Sequence, residues 1–227
     1  MFLPPGEPEL AVAGLVAALA PFNMNDYRRE PYDPNATWDS WRLPERSVLR
    51  LKPEYRDDPR VLYHGDDTVV AVAPKEAIDL EAIRGRAGEY ANATWNAWAE
   101  VASRHPEALP RAHFDGLYAD RGEAQAAYLL QPAVQEVAQA ATTQQHPHFT
   151  FSLLLADPVA TLSGDRDVYL ARAMAECLTT HAYVTLDGQW LCEYTDDRGP
   201  EAHMIAFSHY LVSLPDDTLI AHVHCHS

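Results

Sequence analysis

Three histidines alternate with other residues near the end of the chain, as His222, His224 and His226. Residues two apart along a β-strand share a face, so a strand over Leu219–Cys225 would project these imidazoles together. Neutral imidazoles at this spacing suit Zn, Ni, Cu or Fe, and a catalytic zinc site combines three protein ligands with an open position for water. The pattern indicates a divalent metal site, and the alternative is a solvated strand with exposed histidines.

The predicted order of the C-terminal elements decides whether more histidines join this group. The pattern predicts a strand over Phe149–Leu155, a helix, a hairpin across Asp187-Gly188, a second helix and a last strand. This β-α-β-β-α-β order is typical of a ferredoxin-like fold, whose last strand lies antiparallel beside the first. Because His146 and His148 precede the first strand, the topology predicts that all five histidines meet at one corner of the sheet.

Two other groups of side chains have types that support binding or chemistry. Four tryptophans occur as two pairs spaced by three residues and predict an aromatic ligand pocket, with a plain core role as the alternative. The four are Trp38, Trp41, Trp95 and Trp98. Cys192 and His181 fall at the open end of the predicted hairpin, where a Cys–His pair could activate a thiolate. A buried cysteine and a strand-end histidine are the simpler interpretation.

The remaining elements must position these groups. Apolar residues at helical spacing predict one long helix over about 76–105 and a second helical region over about 122–143, which Pro132 should divide. Residues 1–145 are therefore predicted as a mixed N-terminal α/β region with a helical segment, and residues 146–227 as the ferredoxin-like unit. The fold class is α+β, and the two regions could pack as one compact domain.

Composition excludes several classes of protein. The 227 residues include 33 acidic and 17 basic side chains, a net charge of -16, which opposes direct binding to nucleic acid or anionic membranes. No run of 18 apolar residues predicts a membrane span. Three widely spaced cysteines without a CxxC pair make a disulfide framework unexpected and favour a reducing cytoplasm. Glu7 and Glu9, ahead of an apolar stretch, argue against a targeting segment.

Several short segments, in this order over most of the chain, resemble an uncharacterised protein family encoded by bacteriophages and prophages of actinobacteria. The segments are Leu19-Ala-Pro-Phe22, Tyr32-Asp-Pro-Asn35, Trp38-Asp-Ser-Trp41, Asp79-Leu-Glu81, Gln131-Pro132, Tyr169-Leu-Ala-Arg172, Ala182-Tyr-Val-Thr-Leu-Asp-Gly-Gln-Trp190, Ser213-Leu-Pro-Asp-Asp-Thr-Leu219 and Cys225-His226. The chain departs from that pattern at Leu191, where relatives have His, and at His224, where they often have Asp. The resemblance implies an intracellular accessory protein of phage or prophage origin, located in the cytoplasm of the bacterial host cell, and it transfers no catalytic residue.

Three functions follow as hypotheses. The first is an accessory protein that binds a host protein or a small ligand without catalysis, because no strong catalytic signature is present in the sequence. The second is a metal-dependent, hydrolase-like enzyme that uses the C-terminal histidines with Zn or another divalent transition metal. The third is an acidic mimic of DNA that inhibits a host protein. Edge-to-edge pairing of the predicted sheet also makes a homodimer an expectation.

Overall fold

The computed structural model describes residues 1–6, 8–23, 40–43, 49–64, 69–195, 197 and 199–226. The predicted α+β class is confirmed, since the described residues form both helices and small antiparallel sheets. The strands are β1 (Phe2–Leu3), β2 (Ser40–Arg42), β3 (Leu62–His64), β4 (Val69–Pro74), β5 (Ala182–Val184), β6 (Trp190–Cys192), β7 (Leu219–Ala221) and β8 (His224–His226). The helices are α1 (Pro8–Leu19), α2 (Leu80–Ser103), α3 (Arg111–Asp115), α4 (Arg121–Leu129), α5 (Pro132–Thr143), α6 (Phe151–Leu155), α7 (Pro158–Leu162), α8 (Arg166–Glu176) and α9 (Pro200–Ser213).

The chain divides into two units. The sheet unit comprises residues 1–83 and 178–227, and the helical unit comprises residues 84–177. This division differs from the predicted regions 1–145 and 146–227, because the boundary at 145 falls inside the helical unit. The physical reason is strand pairing between the two ends of the chain: β7 pairs with both β1 and β4. Periodicity within a segment carries no information about such long-range pairing.

The main sheet has the order β1-β7-β4-β3, and every neighbouring pair is antiparallel. β4 reads VVAVAP and is buried along almost its whole length, as expected for β-branched residues in a strand covered on both faces. Leu3, Leu15, Val72 and Leu219 form its core. β1 lies at one edge of this sheet and β3 at the other, where β3 pairs antiparallel with β4.

The second hairpin, β5–β6, turns through Asp187-Gly188, as the sequence predicts. Gly188 has φ +81°, a left-handed conformation that glycine adopts at little cost. Beside this hairpin, four rings form a phenyl cluster in which Phe207 of α9 lies 5.1 Å from Tyr183 and 6.0 Å from Phe2, centre to centre. Tyr210 completes the cluster. The cluster ties α9 to β1 and β5.

Helices alone build the helical unit. The predicted division at Pro132 is confirmed: α4 ends at Leu129, and α5 begins at Pro132, where the missing N–H costs no helical hydrogen bond. Buried apolar side chains of α2, α4, α5 and α7 form the core with Phe149. The core residues are Trp98, Val101, Tyr128, Ala133, Val134, Val137, Phe149, Val159 and Leu162. Across the described residues, no helix is long and apolar enough to cross a membrane.

The ferredoxin-like order is not confirmed. The predicted first strand, Phe149–Leu155, is instead the helix α6, which the Thr150 side chain caps by accepting a hydrogen bond from the Leu153 amide at 3.2 Å. A short apolar run fits a buried strand and a helix segment equally, and periodicity cannot separate them. The predicted last strand is also divided, because β7 joins the main sheet whereas β8 pairs with β2.

Candidate functional site

The structure divides the five predicted metal ligands between the two units. His146 and His148 belong to the helical unit, whereas His222, His224 and His226 belong to the sheet unit. The expectation that they share one sheet corner loses its basis, because the segment directly after His148 forms the helix α6 and not the predicted strand. Among the side chains that the structure describes, no three His, Cys, Asp or Glu residues are arranged to hold a metal ion.

In the helical unit, four rings follow one another in what we call the imidazole row. The ring centres of Tyr90 and His148 are 4.9 Å apart, those of His148 and His146 are 5.7 Å apart, and those of His146 and Phe149 are 4.4 Å apart. Phe149 is buried in the core, both histidines are half-buried, and Tyr90 is 48% exposed. The row therefore runs from the core of the helical unit to its surface.

Hydrogen bonds assign opposite tautomers to the two imidazoles. The Thr94 hydroxyl donates its one proton to the Tyr90 carbonyl at 2.9 Å, so its oxygen can only accept from His148 Nδ1, 3.4 Å away. The His148 amide in turn donates to Nδ1 of His146 at 3.3 Å, so that nitrogen carries the lone pair. Neutral His148 therefore has its lone pair on Nε2, and neutral His146 has its proton on Nε2.

Helix α2 and the loop before α6 hold the row in place. Tyr90 and Thr94 are four residues apart and therefore lie on the same face of α2. The Tyr90 hydroxyl donates to the Pro147 carbonyl at 3.1 Å, which fixes the segment that carries both histidines. Thr94 is only 3% exposed, so its hydroxyl contacts and positions the His148 ring from the buried side. The sequence analysis did not identify Tyr90 or Thr94 as candidate site residues. Their spacing of four residues, which places a polar side chain one helical turn after Tyr90, is visible in the sequence.

Of the four tryptophans proposed as a ligand pocket, the structure describes the side chains of Trp95 and Trp98. Trp98 is 4% exposed and belongs to the core of the helical unit, as the core interpretation predicts. Trp95 packs against the same core, with its ring centre 5.8 Å from that of Tyr169. Trp41 lies in β2 opposite Cys225, with only its backbone described, and Trp38 lies outside the described residues.

Close to Tyr90 of the imidazole row, Tyr169 has a phenol with a raised pKa. Burial raises the pKa of Tyr169, and the neighbouring Tyr90 phenol and Glu176 carboxylate add to the shift. The Tyr169 phenol therefore keeps its proton to a higher pH than a solvated tyrosine, and it can donate a hydrogen bond. Together with Trp95, it adds an apolar face with one polar tip to the surroundings of the row.

In the sheet unit, His222 and His224 contact each other at the break between β7 and β8. Their ring centres are 5.2 Å apart, and their planes meet at 81°. The His222 amide donates to the Ala71 carbonyl at 3.2 Å, so the break keeps a hydrogen bond to β4. His222 Nδ1 is buried and has no hydrogen-bond partner among the described atoms. Burial lowers the pKa of His222 to about 4, with smaller contributions from His224 and the terminal amine.

For the Cys192–His181 hypothesis, the structure identifies a carboxylate as a partner of the imidazole. The hairpin places Cys192 opposite Ala182, and His181 Nδ1 lies 2.6 Å from the Glu193 carboxylate. The His181 ring also stacks at 13° on that of Tyr194. The described partner of this imidazole is therefore the Glu193 carboxylate, which orients the ring.

Sequence analysis also missed a polar network around Asp157. Its carboxylate accepts hydrogen bonds from the Arg111 amide and the Tyr128 hydroxyl, each at 2.7 Å. It also accepts from the Val159 and Ala160 amides and so caps α7. Tyr128 is completely buried, and its burial and this hydrogen bond raise its phenol pKa well above the usual value. This network connects α3, α4 and α7.

The contact between His105 and Glu136 predicts that the folding stability of the helical unit depends on pH. His105 Nε2 lies 2.8 Å from Glu136, and Arg104 pairs with the same carboxylate. The hydrogen bond from His105, followed by Arg104, lowers the pKa of Glu136 below its usual 4.5. A depressed carboxyl pKa stabilises the folded state above the unfolded value, and this contribution is lost as pH falls through the folded value.

We therefore expect Glu136→Gln to lower stability at pH 7 by less than about 1 kcal/mol, since the group is over one-third exposed. The difference from the wild type should start to shrink near pH 4.5 and disappear as the pH falls through the lower folded-state pKa of Glu136, as measured by urea unfolding at a series of pH values. The exposed Glu123→Gln variant on α4 serves as a control. A Glu136→Gln effect that grows toward low pH would contradict the assignment.

The chain was compared with protein-family models, curated proteins and solved structures. No family model, no curated protein and no solved structure matches it. Function must therefore be argued from the arrangement of the side chains, since even a known fold would not specify it.

Proposed function

We propose that this protein is a non-catalytic accessory protein that binds a small planar polar molecule at the imidazole row. The observation that carries the proposal is the pair of opposite tautomers on His146 and His148. One ring offers a hydrogen-bond acceptor at Nε2 and its neighbour offers a donor at Nε2, with ring centres 5.7 Å apart. A ligand with an adjacent donor and acceptor, such as a carboxamide or a nucleobase, matches both groups.

The surroundings of the row favour a flat ligand. Specific small-molecule sites combine apolar and aromatic surface with a few oriented polar groups. Here Tyr90 and Phe149 flank the two imidazoles. Trp95 and Tyr169 contact each other and pack against the core of the helical unit, and the Tyr169 phenol interacts electrostatically with that of Tyr90. Aromatic faces stack on planar π systems and add about 0.5–1.5 kcal/mol per ring pair beyond burial.

The arrangement supports binding better than catalysis. A threonine beside a histidine can act as a nucleophile, but the Thr94 hydroxyl is buried and donates its proton to a helix carbonyl. In the described part of the chain, the histidines that pair with carboxylates are His105 and His181, and neither belongs to the row. The rigid tautomers are suited to recognition because they present fixed hydrogen-bonding groups.

The proposal is tested by nitrogen-15 NMR of histidine-labelled protein, titrated with nicotinamide and with adenine. Without ligand, His148 should show the Nδ1–H tautomer and His146 the Nε2–H tautomer. On titration with a ligand of the matching class, both Nε2 resonances should shift in a saturable manner. His148→Phe keeps an aromatic ring but removes the acceptor, and it should weaken binding at least tenfold, because an unpaired ligand donor costs about 1–3 kcal/mol.

The exposed His113 provides the matched control, since His113→Phe changes the same residue type in the same unit. It should leave both tautomers and the titration unchanged. The proposal is wrong if the two histidines share one tautomer, if neither probe binds, or if His148→Phe binds as tightly as the wild type.

The origin and cellular setting remain part of this proposal. The ordered short segments resemble the actinobacterial phage family, and we propose on that ground an accessory role in a bacterial host cell. The absence of a CxxC pair from the sequence supports a cytoplasmic location. The hypothesis of a DNA mimic depends on the net charge of -16 alone. Small-ligand binding is preferred, because the imidazole row supplies specific hydrogen-bonding groups on His146 and His148.

A further inference from the structure

We infer that the buried Thr94 hydroxyl makes the imidazole row selective for ligands that donate an N–H group, so that the row binds a carboxamide and rejects the matching carboxylate. The inference rests on the proposed function. It adds the chemical class of ligand that the row accepts and the positioning residue that determines this class.

The first argument is the direction of the hydrogen bonds at Thr94. Its hydroxyl has one proton, which it donates to the Tyr90 carbonyl at 2.9 Å. Toward His148 Nδ1, 3.4 Å away, the oxygen therefore presents a lone pair, and Nδ1 carries the proton. A ligand at Nε2 must then supply the proton of its own hydrogen bond. A carboxamide has an N–H group for this purpose, whereas both oxygens of a carboxylate only accept.

The second argument is the cost of the other tautomer. A proton on Nε2 of His148 would leave two lone pairs facing each other, one on Nδ1 and one on the Thr94 oxygen. Thr94 is only 3% exposed, so water is excluded from its side of this contact. A buried acceptor without a donor is unfavourable, and the fold therefore opposes the tautomer that a carboxylate would need.

The third argument is the charge around the row. The ring and hydrogen-bond contacts that the structure describes for His146 and His148 include no arginine or lysine, the usual partners of a bound carboxylate. Beside Tyr90, burial, the Tyr90 phenol and the Glu176 carboxylate raise the pKa of Tyr169. Surroundings that oppose a phenolate also oppose a ligand carboxylate, so charge and hydrogen bonding favour the same neutral ligand.

The test compares two matched pairs of probes on the full chain by titration calorimetry. Nicotinamide is paired with nicotinate, and 9-methyladenine is paired with 9-methylpurine. The second probe of each pair has no N–H donor. In the wild type, the first probe should bind at least about tenfold more tightly than the second, because the second leaves the His148 acceptor unpaired.

Variants of Thr94 separate its role from that of the site as a whole. Thr94→Val keeps the branched side chain but removes the oxygen, so His148 can carry its proton on either nitrogen, and nicotinate should bind as tightly as nicotinamide. Thr94→Ser keeps the hydroxyl and should keep the preference. Nitrogen-15 NMR without ligand should show the Nδ1–H form of His148 in the wild type and in Thr94→Ser, and a mixture of tautomers in Thr94→Val.

Thr142 provides the matched control on α5. Its hydroxyl also donates to the carbonyl four residues earlier, that of Ala138, at 2.8 Å, but its side chain is exposed. Thr142→Val should leave the His148 tautomer and both probe preferences unchanged. The circular dichroism spectrum and the urea midpoint establish that each variant is folded, and the wild-type comparison of the probe pairs tests the selectivity without any variant.

The outcomes distinguish this inference from the proposed function. If neither nicotinamide nor 9-methyladenine binds to the wild type, the proposed function is wrong and the inference is overturned with it. If either binds but its partner without an N–H donor binds equally well, the inference alone is overturned. Full selectivity in Thr94→Val, with the tautomer of His148 unchanged, would overturn the role of Thr94.

Discussion

Replacing Asp157 with alanine is expected to lower the free energy of unfolding of the helical unit by about 3–5 kcal/mol. The change removes the acceptor for the Arg111 amide and for the Tyr128 hydroxyl. The hydroxyl of a completely buried tyrosine then has no partner, and α7 loses its cap. These effects act on three helices at once, so their sum exceeds that of an ordinary cap.

The backbone at this position allows a finer test. Asp157 has φ +61°, in the left-handed region that residues other than glycine, asparagine and aspartate rarely adopt. Alanine would have to adopt this conformation without a side-chain acceptor, whereas glycine adopts it freely. Asp157→Gly should therefore be less destabilising than Asp157→Ala by about 1 kcal/mol. A larger loss in the glycine variant would show that strain does not contribute.

Asp165 is the matched control for this prediction. It also caps a helix, accepting from the Asp167 and Val168 amides, but it is exposed. Asp165→Ala should cost only about 1 kcal/mol. Urea unfolding gives the loss of stability, and hydrogen exchange at the amides of α4 and α7 assigns it to the helical unit. Equal losses for Asp157→Ala and Asp165→Ala would contradict the network.

Local signals predicted most of the elements because those elements depend on nearby residues. Pro132 separates α4 from α5, and Asp187-Gly188 turns the β5–β6 hairpin, both as expected from backbone preferences. The prediction of a strand over Phe149–Leu155 was wrong because a short segment with five apolar residues among seven fits a strand and a helix alike. Phe151, 64% exposed, and Leu155 both face solvent, a pattern that period-2 reasoning did not anticipate.

The candidate site residues could be predicted from the sequence only in part. Residue type alone identified His146, His148, His222 and His224 as groups that could bind, but their partners depend on tertiary structure. Thr94 and His148 are 54 positions apart, and only the fold brings them within 3.4 Å. The dipeptide Asp157-Pro158 did carry a local signal, since aspartate before proline is typical of a helix start. Nothing in it indicated Tyr128 or Arg111 as partners.

The phenyl cluster supplies the second large effect: Phe207→Ala should lower the free energy of unfolding of the sheet unit by about 3–4 kcal/mol. Phe207 is buried, and its ring lies against Tyr183 of β5 and Phe2 of β1. Removing it leaves a cavity where α9 packs on the strands, and rigid rings fill such a space poorly. Alanine's higher helix propensity offsets about 0.5 kcal/mol of this loss.

Ile205 gives the control on the same helix, because it is 48% exposed and lies two positions before Phe207. Ile205→Ala should change the unfolding free energy by less than about 0.5 kcal/mol. Both variants are compared by urea unfolding, with hydrogen exchange at the β5 and β7 amides as the local readout. A loss below about 1 kcal/mol for Phe207→Ala would mean that α9 contributes little to the sheet unit. The contacts of Phe207 with two strands that are distant in sequence require the opposite result.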